Sequence, residues 1–142
     1  MPRSSTLLPA AFIAVGLTFA VPAALAQENS VPKDELARTL TSGAYVIQFA
    51  GGATLSFSNL PDGNLSSVLW RSSPSASRPM SGTGTGTWRI ADDGKYCVKA
   101  GWRVAKNNNG IDACRMVIKA GDGEYLLKGE EGQPDWTMKR PN

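Results

Sequence analysis

From Gly43 onward, turn-forming residues interrupt the chain roughly every 8 to 12 positions, a spacing that leaves room for short strands and for little else. Gly51-Gly52, Pro61-Asp62-Gly63-Asn64, Asp92-Asp93-Gly94, Asn107-Asn108-Asn109-Gly110 and Gly121-Asp122-Gly123 are built from residues that start turns or accept positive φ. The stretches between them are rich in β-branched and aromatic residues and often alternate apolar with polar. Strands are predicted over Ala44–Phe49, Ala53–Ser58, Leu65–Arg71, Trp88–Ile90, Lys95–Ala100 with an extension over Trp102–Ala105, Ala113–Lys119, Glu124–Lys128 and Trp136–Lys139. About eight short strands joined by tight turns predict an all-β antiparallel domain, either a small lipocalin-like barrel or a sandwich.

Within these strands the alternation assigns faces. Leu65, Ser67 and Leu69 fall on one side and Val68 and Trp70 on the other; Trp88 and Ile90 oppose Thr87 and Arg89; Tyr96 and Val98 oppose Cys97 and Lys99, because successive strand residues point to opposite faces. Two segments are less regular. Ser72–Ser81, with Pro74 and Pro79, reads as a mobile loop. Gly82-Thr83-Gly84-Thr85-Gly86-Thr87 reads as a flat strand edge or a bulge.

Helical signal is confined to Pro32–Leu40. Pro32 suits a first turn, Asp34 and Glu35 complement the positive end of the helix dipole, Arg38 lies near the other end, and Leu36 and Leu40 share one face. So short a helix must dock on the rest of the domain.

The N-terminal region has another character. Arg3 precedes an apolar run from Leu7 to Val21, Pro22 breaks it, and Ala24-Leu25-Ala26 supplies small residues for cleavage. These three parts make a secretory signal over residues 1–26. The run is shorter than the ~20 residues a membrane-spanning helix needs, and no cysteine follows it to carry a lipid, so no membrane anchor is predicted. The remaining Gln27–Asn142, 116 residues, suits a single β-domain. A periplasmic or secreted location follows from this reading.

Export changes the meaning of the two cysteines. Cys97 and Cys114, 17 positions apart, read as a structural disulfide in an oxidising compartment. A metal or reactive pair is the rival reading, but zinc sites want four ligands at short spacings, and the chain has no histidine.

That missing histidine also removes Ser-His-Asp and Cys-His triads and the commonest general base. Glu130-Glu131 and Asp92-Asp93 are adjacent pairs whose strand neighbours face apart, which suits a solvated loop and a turn. Gly82-x-Gly84-x-Gly86 lacks the following helix that a phosphate-binding loop requires. Asn107–Asp112 holds oxygen donors without the spacing of a calcium loop. Asn64-Leu65-Ser66 fits a glycosylation acceptor. Fifteen basic and twelve acidic residues, with no basic run, give no footprint for nucleic acid. No catalytic residue, cofactor site or metal site is predicted.

The four tryptophans, Trp70, Trp88, Trp102 and Trp136, supply core volume. Trp102, beyond Gly101 and next to Arg103, and Trp136, beside Pro134 and Asp135, are also candidates for an exposed recognition patch.

Gly86-x-Trp88-Arg89-Ile90, Asp93-Gly94-Lys95-Tyr96-Cys97, Cys114 and Gly121-Asp122-Gly123-x-Tyr125 occur in an order that resembles a family of small secreted proteins of Gram-negative bacteria, the domain of unknown function 995. The resemblance covers Leu36 to Lys128 and is strongest from Gly84 to Cys114. It implies an exported β-rich protein and brings no catalytic residue with it.

The expectation is a non-enzymatic periplasmic binding or accessory domain. One alternative is an inhibitor or envelope-stress protein that docks on a partner through Ser72–Ser81 or Asn107–Gly110. The other is a carrier holding a small ligand in a barrel cavity.

Overall fold

The computed structural model describes residues 30–142. The predicted signal at 1–26 lies outside the described residues. A short helix, α1 (Lys33–Leu40), is followed by β1 (Ala44–Gln48), β2 (Thr54–Asn59), β3 (Asn64–Arg71), β4 (Ser81–Ile90), β5 (Tyr96–Val104), β6 (Asn107–Gly121), β7 (Glu124–Lys128) and β8 (Trp136–Lys139). Each strand pairs antiparallel with the next, and β8 returns to β1 through Val46↔Lys139, Ile47↔Met138 and Gln48↔Thr137. The all-β expectation therefore resolves to a closed eight-stranded barrel.

Alternation puts one residue in two inside. Tyr45, Ile47, Leu55, Phe57, Val98, Ala100, Val117, Leu127 and Met138 are buried and fill the interior. At one end α1 acts as a plug. Leu36 and Leu40, on its shared face, are fully buried. Beneath them Asn59 is buried too, and its Nδ2 donates to the Leu40 carbonyl at 3.0 Å. The Tyr96 hydroxyl donates to Asn59 Oδ1 at 3.0 Å. Asn59 thus ties the helix end to β5, satisfying polar groups that would be costly to bury alone.

Burial pushes the Tyr96 hydroxyl well above the ordinary tyrosine value, with the Asn59 hydrogen bond pulling it partly back. A folded-state pKa raised above the unfolded one adds stability that is present below pH ~10 and lost as pH rises past it. Chemical denaturation from pH 8 to 12 is expected to show a flat region and then a decline above about pH 10. Tyr96→Phe should flatten that decline.

Three local expectations are corrected. In β3, Leu65 and Val68 are both buried, where strict alternation put them on opposite faces. Ser67 has φ +54°, and the register with both neighbouring strands shifts there. This bulge spends one residue and resets which side faces in. The Asn-rich segment is not a turn. The β5–β6 connection is Ala105-Lys106, with Ala105 at φ +53°, and Asn107–Gly110 begins β6. Lastly, Gly82–Thr87 is not an outer edge of the sheet: it lies inside β4, with Gly84–Thr87 paired to β5, while Gly82 and Thr83 pair with β3 alone and Thr85 stands opposite the β3 bulge.

Cys97 and Cys114 form a disulfide, with Cα atoms 4.0 Å apart. They are directly opposite in the β5–β6 ladder and lie on its outer face, since Tyr96 and Val98 face in.

Candidate functional site

The two ends of the barrel differ. The β2–β3, β4–β5 and β6–β7 turns share the end that α1 plugs. The β1–β2, β3–β4, β5–β6 and β7–β8 connections share the other, which no helix covers among the described residues. Half-buried apolar side chains gather at that open end: Phe49, Trp70, Val104, Ile111 and Trp136.

The glycines of β4 make part of this arrangement possible. Gly82 is opposite Trp70 of β3, and Gly84 is opposite Trp102 of β5. With no side chains on β4 between them, the indoles of Trp70 and Trp102 meet over it, 6.1 Å apart and 9° from parallel. Trp102 is only 8% exposed, so it is an inward-facing core residue and not the exposed recognition aromatic considered from sequence. Trp136 is half-buried, edge-on to Phe49 with ring centroids 4.9 Å apart.

A cation also lies over the Trp136 ring. Arg115, on β6, points inward and is 6% exposed. Its guanidinium carbon sits 3.5 Å from the Trp136 ring centroid, a cation–π contact strengthened by removal from water. One Nη donates to the Pro134 carbonyl at 2.7 Å and reaches the Leu127 carbonyl at 3.5 Å. Nε is buried without a hydrogen-bond partner, and none of the described ion pairs includes this residue. Desolvation lowers the Arg115 pKa below the ordinary arginine value, opposed by the charges of Asp135 and Glu130. A buried guanidinium with an open donor is an expensive group to keep. Sequence reasoning missed it, yet counting back by twos from Val117 places it inside.

The β7–β8 connection around this cation is itself pinned. Asp135 accepts from the Gly129 amide at 2.8 Å and from Lys128 Nζ at 3.0 Å, and these bonds lower its pKa. The Ser72–Ser81 loop is closed at its base by the Ser72 amide donating to the Met80 carbonyl and the Met80 amide donating to Ser72 Oγ, both at 2.9 Å. Met80, at that base, is 47% exposed and is the large exposed hydrophobic side chain among the described residues. The sequence-derived candidates, Trp136, the Ser72–Ser81 loop and the Asn-rich segment, thus come together at one end, with Trp102 beneath them.

The opposite end offers a polar groove of about 480 Å³ between α1 and the final residues. Glu35, Asp122 and Glu124 line it together with Lys119, Lys139 and Arg140. Charges of both signs line it and focus no field on one kind of ligand.

The motif residues are structural. Trp88 Nε1 donates to the Leu60 carbonyl at 2.8 Å, tying β4 to the β2–β3 turn. Gly94, at φ +85°, completes the β4–β5 turn, and the Asp93 carboxylate accepts from the Lys95 amide at 3.2 Å. Among the described residues no three His, Cys, Asp or Glu side chains form a group able to hold a metal. No described helix is long and apolar enough to cross a membrane.

A family model described as a protein of unknown function (DUF995) matches residues 14–142, a wider span than the motifs cover. No curated protein and no solved structure matches the chain.

Proposed function

The chain belongs to this DUF995 family of unknown function, and from that premise we propose an exported accessory protein, periplasmic or secreted, that acts by binding another protein and not by catalysis. The observation that carries this reading is the asymmetry of the barrel. One end is closed by α1 over a satisfied hydrogen-bond network, whereas the other gathers half-buried aromatics, a buried cation with a free donor and the exposed Met80. Half-buried aromatics beside an exposed methionine suit a docking surface. The absence of histidine from the sequence and the disulfide support the non-enzymatic and exported parts of the proposal. An inhibitor or envelope-stress role is the form of docking that the Ser72–Ser81 loop favours. A carrier role is less favoured, because core side chains occupy the barrel interior.

The test is capture from periplasmic extract by the immobilised protein, identification of what binds, and titration of the purified pair. Met80→Asp should weaken that pair at least about 30-fold, the size of a lost hot-spot residue, without altering the far-ultraviolet spectrum. Binding that ignores the substitution would refute the docking surface. Turnover of a substrate by the purified protein, lost on a point substitution, would refute the non-enzymatic reading.

A further inference from the structure

β6 is longer than its partnership. It runs for 15 residues, Asn107–Gly121, and β5 covers one side from Asn107 to Arg115. On its other side β7 pairs only with Met116 to Gly121. The upper half of β6 therefore presents a strand edge with no ladder partner among the described residues. Backbone groups in a strand alternate sides. The Val117 carbonyl accepts from the Val31 amide at 2.9 Å on the β5 side, so odd-numbered residues direct their backbone groups that way. Asn108, Gly110 and Asp112 then direct their N–H and C=O groups outward from the free edge. No backbone hydrogen bond from outside the strand ladders reaches them. All three residues are exposed. The devices that usually blunt an edge, a proline, an inward lysine or a covering helix, are missing from Asn107–Cys114 apart from the single charge of Asp112.

We propose that this edge pairs with the same edge of a second copy of the chain, antiparallel about a two-fold axis at Gly110. That register engages Asn107–Ala113 of the free stretch and places Asn108 of each copy opposite Asp112 of the other. An amide faces a carboxylate twice, and like charges never meet. Within each copy Asp112 is paired with Lys99 and Asn108 with Arg103 across the β5–β6 ladder. The outer face of the joined sheet would thus run Arg103, Asn108, then Asp112 and Lys99 of the second copy, alternating in a way that suits cross-strand pairing. Two-fold symmetry makes the contact self-complementary and closed. It does not depend on docking at the open end, because Met80 takes no part in it.

Sedimentation velocity of the disulfide-intact protein over a concentration series tests this pairing. A monomer–dimer equilibrium is expected. Asn108→Asp sets two like-charge pairs in opposition and should raise the dimer dissociation constant about tenfold. Asn108→Lys sets two opposite-charge pairs and should lower it severalfold. Asn108 is exposed, so both variants should stay folded, with Asn108→Lys melting slightly lower because it faces Arg103 across the ladder. Amide exchange at Asn108, Gly110 and Asp112 should slow as concentration rises. A protein monomeric at every concentration, a dimer indifferent to both substitutions, or a monomer that takes up an extended peptide of another protein on this edge would each overturn the proposal.

Discussion

Gly84→Val is expected to cost more than about 3 kcal/mol, beyond the usual range for overpacking. The reason is what an added side chain would meet. A Cβ on Gly84 would land within the Gly101 carbonyl and close to the Trp102 Cα, both backbone atoms of β5, and it would wedge between Trp70 and Trp102. Backbone in a paired ladder has little freedom to retreat. Against a total stability of about 5–15 kcal/mol for a domain, such a loss should show as a large drop in denaturation midpoint and in folded yield. Gly51→Ala is the control, since a Cβ there meets nothing within 4 Å and the change should stay within about 0.5 kcal/mol. Equal midpoints for the two variants would show that the glycines of β4 are not what lets the tryptophans meet.

Removing the disulfide with Cys97→Ser and Cys114→Ser is expected to cost about 3 kcal/mol, the loop-closure value for 17 residues. The melting temperature should fall by roughly 10 °C. The effect should also be uneven. The bond lies where β6 passes from its β7-paired half to its free half, because Cys114 stands two residues before the first β7 partner, Met116. Above it, the β5–β6 hairpin is held on β6 from one side only. Amides of Asn109, Ile111 and Ala113, which bond toward β5, should therefore lose exchange protection first, before Val117 or Leu127, as local opening precedes global unfolding. A uniform loss of protection would show that the bond acts on the unfolded chain alone.

Most strands were legible because turns announce themselves chemically. Asp93-Gly94 and Asp122-Gly123 stand where the turns are, with both glycines at positive φ, and the helix ends at the Leu40 expected from its apolar spacing. What local pattern does not carry is the choice between faces and between architectures. Alternation separates Trp102 from Gly101 but does not say which side is inside; the ladder to Gly84 decides that. Closure rests on Ile47 meeting Met138, far apart in sequence and marked by nothing local. The Asn run looked like a turn because Asn accepts positive φ, yet Ala105, an ordinary residue, takes that conformation instead. Of the open end, Trp136 was foreseen as a candidate and Arg115 was not, since a charge inside a strand normally marks the solvent side.

The pairing of the first strand with the last sets a schedule. A chain that emerges from its N-terminus forward can build hairpins one after another, but β1 must wait with an unclaimed edge until Trp136–Lys139 arrives. Until then α1 has only a partial wall to seal. The barrel is therefore all-or-nothing with respect to its final residues: a chain ending at Lys128 would lose the strand that joins β7 to β1, exposing two edges at once. Folding dominated by so distant a contact is slow, and the waiting edge is a site for wrong partners. A chain that closes its wall last has reason to be kept extended until it is complete.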